Sequence, residues 1–418
     1  MQEDFLHYLF EFNLIQNTEF EIMSSGQKNF DAGPDFFNAK IKIDNTIWVG
    51  NVEIHILASD WNRHKHQKNK AYDNIILHLV YKNDIEIQAS NGSEVLTYEL
   101  KFDPKLYQRY QDLLKNLTWI HCEKQIEKID SFTKNLYVEA LSIERLERKS
   151  RFFRELFLFN DNNWELSFYQ ALVKGFGSKL NSVPFELLAK SIDLKVILRH
   201  RNSVFQLEAL LFGQAGFFED EIENDEYFRG LKNEYLFLKE KYNLQPVRHE
   251  LFKFSKVRPY NFPSVKIALL AQLLSQYQSI LSKVLECKKV EDVKNIFQLE
   301  VGPYWENHYR FGNVSKPLKK RLAQSSWQYL IINIIIPFLY FYAQNKNVES
   351  LREKVIDWLV DLEPEKNNIT EKWEKLGIDN STALQSQGLI ELKNEKCNNH
   401  ACIDCRIGHK ILTLSWYE

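Results

Sequence analysis

The rhythm of apolar and polar positions changes near residue 103. Before it, the segments are short. Residues 3–13 set Phe5, Leu6, Leu9 and Phe12 near one stripe, with Ile15 just beyond, which predicts a helix. A short strand is expected at Phe20–Met23. The stretch "FFNAKIKIDNTIWVGNVEIHI" then alternates through two strands joined at Asp44-Asn45. Its second strand carries Asn51, Glu53 and His55 on one face and Val52, Ile54 and Ile56 on the other. Ser59 or Asp60 caps a short helix through "SDWNRHKH". "IILHLVY" (75–81) is apolar and β-branched; Asn83-Asp84 turns it into "IEIQAS", and Asn91-Gly92 turns that into "EVLTYELKF". The resulting order is helix, three strands, helix, strand and a two-strand extension. It admits a right-handed crossover from the third strand to "IILHLVY".

From Asp103-Pro104, a cap followed by an N1 proline, helical periodicity prevails to about residue 392. Residues 136–157 form one long amphipathic helix whose polar side collects Arg145, Arg148, Lys149 and Arg151. Such a stripe either tracks a nucleic-acid backbone or faces water. The loops "FGQAG" and "RPYNFP" read as packing and turn signals. The expected architecture is therefore α+β followed by α. A mixed-sheet domain spans 1–103, a large all-helical domain 104–395, and a short Cys-rich tail 396–418.

Charge narrows the partners. With 54 basic and 56 acidic residues, no overall field draws in a polynucleotide, so binding one needs a local patch. The most apolar run, Tyr329 to Tyr342, is shorter than a bilayer span and contains Asn333 and Pro337. It reads as a buried, proline-kinked helix, and no membrane partner is expected. The opening "MQEDFLHYLFEF" lacks a basic region and a cleavage site, so the cytoplasm is the expected compartment.

The candidate chemistry begins with Asp35, Glu53 and His55. Residues two apart on a strand share a face, so Glu53 and His55 point the same way. A break at Gly33-Pro34 lets Asp35 leave its apolar phase and turn toward Glu53. Two carboxylates from adjacent strands suit Mg²⁺ or Mn²⁺. Four histidines, His55, His64, His66 and His78, fall on three successive elements of this sheet. They admit an imidazole-bound metal, but Arg63, Lys65 and Lys68 beside them oppose a cation and suit an anionic substrate.

A second cluster lies in the tail. Cys397, Cys402 and Cys405 have C-x4-C-x2-C spacing, and His400 or His409 can complete a tetrahedral Zn²⁺ site. The spacing is also part of an iron–sulfur run, which lacks a fourth cysteine nearby. Cys122 and Cys287 read as ordinary buried thiols.

The αβββαβ order with P-D…E-x-[K] is similar to the core of the PD-(D/E)XK, restriction-endonuclease-like phosphodiesterases. That resemblance covers about the first hundred residues. It implies that Asp35 and Glu53 bind metal, that His55 stands where a lysine is usual, and that a helical acid, Glu3 or Glu11, completes the site. Over nearly the whole chain, "GPDFFNA", "GNVEIH", "SDWNRHKH", "LLFGQAG", "RPYNFPS", "YWENHYRFG", "SQGLIELK" and "CIDCRIG" resemble the signature blocks of a bacterial domain-of-unknown-function family, the DUF2851 type. Asn69 departs from it where an acid is expected after the H-x-H. The expectation is a metal-dependent phosphodiesterase acting on nucleic acid. The alternative is a catalytically inactive nucleic-acid-binding or complex-assembly protein, engaging nucleic acid or a protein partner.

Overall fold

Alternation in the first hundred residues becomes a six-stranded mixed sheet. The computed structural model describes residues 1–219, 222 and 225–414. Its leading elements are α1 (Glu3–Glu11), β1 (Phe20–Ser24), β2 (Gln27–Lys28), β3 (Phe36–Ile43), β4 (Thr46–Leu57), α2 (Asp60–Arg63), β5 (Ile75–Lys82) and β6 (Thr97–Glu99). The sheet order is β1-β3-β4-β5-β6, with β2 also on β3. β1, β3 and β4 are antiparallel, and the β3–β4 hairpin closes at Ile43↔Thr46 through a left-handed Asp44. β4, β5 and β6 are parallel, and the register sets Glu53 beside His78.

The crossover from β4 to β5 departs from the expected helix. α2 is a single turn, and Lys65 then adopts a left-handed conformation that no helix continues through. Two 3₁₀ turns follow, His66–Lys68 and Lys70–Tyr72. His64 and His66 therefore flank the reversal instead of opening a helix. The extension also differs. Residues 85–96 fold back on themselves through a Gln88↔Glu94 bridge, and β6 returns parallel to β5. Three apolar side chains of this excursion are claimed elsewhere: Ile87, Ala89 and Val95 pack with Trp61 and Tyr72, and the Trp61 indole donates to Gln88 O.

The chain divides into Met1–Tyr137 with Leu392–Glu418, and Val138–Glu391. This division falls at Tyr137–Val138 where 103–104 was expected, and it groups the tail with the sheet. α3 (Pro104–Lys115), capped by Asp103, stacks Tyr110 on Phe5 of α1. Arg109 of α3 donates to Leu412 O and Leu414 O, and Lys393 donates to Trp119 O, so the tail belongs with the sheet.

The second unit is helical around one large apolar core. It is entered along α4 (Ser131–Phe159), and the basic stripe of this helix is spent internally. Arg145 and Arg148 both pair with buried Glu391, while Lys149 donates to Asn333 and Gln387. Three of the four named cations of this face are thus engaged within the fold, and Arg151 is exposed. Gln324–Lys346 is long and apolar enough to cross a membrane, yet 72% of its most apolar window is buried within the fold. A π-helical stretch, Ile331–Ile335, precedes Pro337, as expected where a proline removes a backbone donor.

Candidate metal centre

Glu53 and His55 lie on the face of β4 that alternation marks as polar, but that face is not wet: they are 4% and 1% exposed. Burial of this kind demands partners. Gly33, at φ +120°, breaks the chain ahead of β3 in a conformation that favours glycine. Asp35 thus precedes the strand and escapes its apolar phase. Its N–H faces Glu53 Oε2 at 3.2 Å, and its Oδ2 accepts from Ile54 N at 2.8 Å. His7 Nε2 lies 3.3 Å from the same oxygen.

The imidazoles gather on the other side of Glu53. Its Oε1 stands 3.1 Å from His66 Nε2 and 3.4 Å from His55 Nε2. His55 Nε2 is 3.1 Å from His64 Nδ1. Two protein ligands on one tetrahedral ion, each bound at about 2.0–2.1 Å, sit about 3.3 Å apart. The three observed separations match three of such a tetrahedron's six edges, and the Glu53–His64 edge is not among them. His55, His64 and His66 are also the one group, among the described residues, of three ligand-bearing side chains whose donor atoms all lie within 4.8 Å.

An outer layer fixes these rings. His55 Nδ1 contacts His78 Nε2 at 2.9 Å, and His78 Nδ1 contacts Thr97 Oγ1 at 3.2 Å; the Thr97 hydroxyl donates to Val95 O. This chain orients His55 and leaves its Nε2 facing inward. His66 stacks on Tyr72 at 3.8 Å between ring centroids, with Trp61 edge-on behind it.

Burial dominates the electrostatics of the cluster. Burial pushes the Glu53 carboxyl well above the ordinary range, and Asp35 adds to it, against the Asp35 N–H and His7. Burial, then His78, His66 and His64, pulls His55 down to about 2, and burial with His66 pulls His78 to about 3. The rings are therefore neutral and keep their lone pairs. Burial lowers His7, but the Asp35 hydrogen bond and charge, with Glu3, raise it overall.

The other sequence-derived positions separate clearly. Glu3 lies within electrostatic reach of His7, Asp35 and His64, whereas Glu11 pairs with Lys28. Arg63, Lys65 and Lys68 are exposed on the segment that carries His64 and His66, with Arg63 paired to Asp60. Asn69 caps the second 3₁₀ turn by accepting from Ala71 N, so it does local structural work. His409 contacts Tyr8 and stacks on Phe12, and His400 contacts His121. Three partners escaped the sequence reading. His7 sits one helical turn from Glu3, a spacing that shares a face and could have revealed it. Tyr72 and Thr97 carry no such signal, because only the sheet register brings them in.

With this geometry in view, the family match can be placed. The chain matches the family described as protein of unknown function (DUF2851) over residues 3–368. It belongs to that family. The DUF2851 match contains the entire sheet site and ends before the cysteines of the tail, so "SQGLIELK" and "CIDCRIG" lie beyond it. No curated protein and no solved structure gives a match.

Proposed function

We propose that this chain is a metal-dependent phosphodiesterase acting on nucleic acid, its ion held by Glu53, His55, His64 and His66. The observation that carries the reading is the cluster of His55, His64 and His66, whose donor atoms all lie within 4.8 Å of one another, with Glu53 Oε1 3.1 Å from His66 and 3.4 Å from His55. Three imidazoles and one carboxylate favour Mn²⁺ or Zn²⁺ over Mg²⁺, which prefers oxygen ligands. When bound, such an ion polarises a phosphate oxygen and lowers the pKa of a water.

The chain's own groups supply the remainder. His78 and Thr97 hold His55 in orientation. Asp35 and Glu3, within electrostatic reach of Glu53, would supply the carboxylates that orient a water. Arg63, Lys65 and Lys68 stand exposed on the adjoining segment, where they can meet a phosphate. His64 is the exposed ligand, on the crossover loop, so its displacement would open a coordination position for substrate.

The second reading is a non-catalytic nucleic-acid-binding or complex-assembly protein. One observation favours it: four protein donors leave a tetrahedral ion without an open position. Incubating the full chain with Mn²⁺ and labelled DNA or RNA distinguishes the two. Cleavage by the wild type and none by Glu53→Ala supports the enzyme. Equal trace cleavage by both contradicts it, and salt-sensitive binding without cleavage establishes the second reading.

A further inference from the structure

Cys122, set aside in the sequence as an ordinary thiol, lies within electrostatic reach of the cysteines of the tail. It opens the turn after α3, where Gln125 N and Ile126 N donate to its carbonyl. Its neighbour His121 contacts His400, which sits between Cys397 and Cys402, and Lys393 bonds Trp119 O just upstream. The Cys122 sulfur is within electrostatic reach of Cys397, Cys405 and Cys402, and Cys397 is within reach of both other tail sulfurs. All four thiols are free, and none is exposed.

The local backbone is shaped around the sulfurs. Cys405 caps the helix Arg406–Thr413, and the N–H groups of Gly408 and Ile407 lie close enough to its sulfur to favour the thiolate against burial. Gly408 is required by the same packing, because a Cβ there would strike the Cys402 carbonyl.

We infer that Cys122, Cys397, Cys402 and Cys405 hold an iron–sulfur cluster. Four cysteine sulfurs suit either zinc or such a cluster. Spacing decides between them. A single zinc with Zn–S bonds near 2.3 Å needs sulfurs about 3.8 Å apart. No three of these sulfurs lie within even 4.8 Å of one another, since the only group that does so among the described residues is the histidine triad. A cluster interposes several irons and inorganic sulfides, and so keeps the cysteines further apart. Four thiolates complete its ligation, which leaves no iron open to a substrate. It joins the loop after α3 to a segment that returns only after the whole second unit. Closing so long a loop restricts the unfolded chain.

This inference is independent of the sheet site. Its test is iron, acid-labile sulfide and zinc analysis, with visible absorption, on the full chain purified anaerobically without added metal. About four irons and four sulfides per chain, with a brown chromophore, are expected. Cys122→Ser should lose the chromophore and most of the iron, while Cys287→Ser, in the second unit, keeps both. About one zinc per chain without iron overturns the cluster, and neither metal in the wild type overturns the site. Full iron content in Cys122→Ser overturns the four-cysteine ligation.

Discussion

Glu53 meets His55 and His66 through one oxygen and the Asp35 backbone through the other, so a single side chain organises both halves of the site. His78 is the residue whose role is easiest to isolate, because it touches His55 on the side away from the other donors. Outer partners of this kind typically govern 10–100-fold of metal affinity. His78→Ala should therefore weaken Mn²⁺ or Zn²⁺ binding by about 10–100-fold in titration calorimetry, without removing any ligand. Unchanged affinity would show that His55 is oriented by something else. A second residue tests the helical unit. Glu208 is fully buried, accepts from Tyr227 and Trp305, and has one oxygen without a hydrogen-bond partner. Burial pushes it up to about 7, against those two hydrogen bonds. Because the folded pKa is raised, the stability it contributes is complete below the ordinary carboxylate range and is lost as pH rises through about 7. The loss is roughly 3 kcal/mol. Glu208→Gln should flatten that part of the pH profile of denaturant unfolding, followed by helical circular dichroism. An identical slope in the variant would place the titration elsewhere.

Elements decide which parts of this were legible. Period-two alternation over 36–56 was strong enough to place β3, β4 and their turn, because a slip of one residue would bury the wrong face. The crossover was not legible in detail: a single left-handed lysine replaces a helix, and local propensity says nothing of it. The basic stripe on α4 was visible, but its use was hidden, since its partner Glu391 lies 243 residues from Arg148. Cys122 was missed for the same reason, with no local spacing linking it to the tail. The α+β plan, a mixed sheet followed by a large helical region, was readable from periodicity alone. The β3 entrance supplies the test at this scale. Gly33→Ala would force a side chain into φ +120°, which costs of order 1–3 kcal/mol. Thermal unfolding and metal titration should both worsen in this variant, because the strain falls where Asp35 is aimed. A destabilised variant with intact metal affinity would separate the turn from the site.

On the proposed reading, the exposed cations of the crossover rim, Arg63, Lys65 and Lys68, are where a polyanion would engage the sheet site. The mixed sheet thereby brings donors from β4 and the crossover loop to one point, with the outer imidazole supplied by β5. The central claim is that this point is a metal centre. A crystal structure of the full chain grown with Mn²⁺, with anomalous scattering data, tests it most directly. The expected result is one strong anomalous peak within about 2.0–2.2 Å of Glu53 Oε1, His55 Nε2 and His66 Nε2, with His64 as the fourth ligand or displaced. No anomalous density among these side chains at saturating Mn²⁺ and Zn²⁺, with the histidines still bonded to one another, would contradict it.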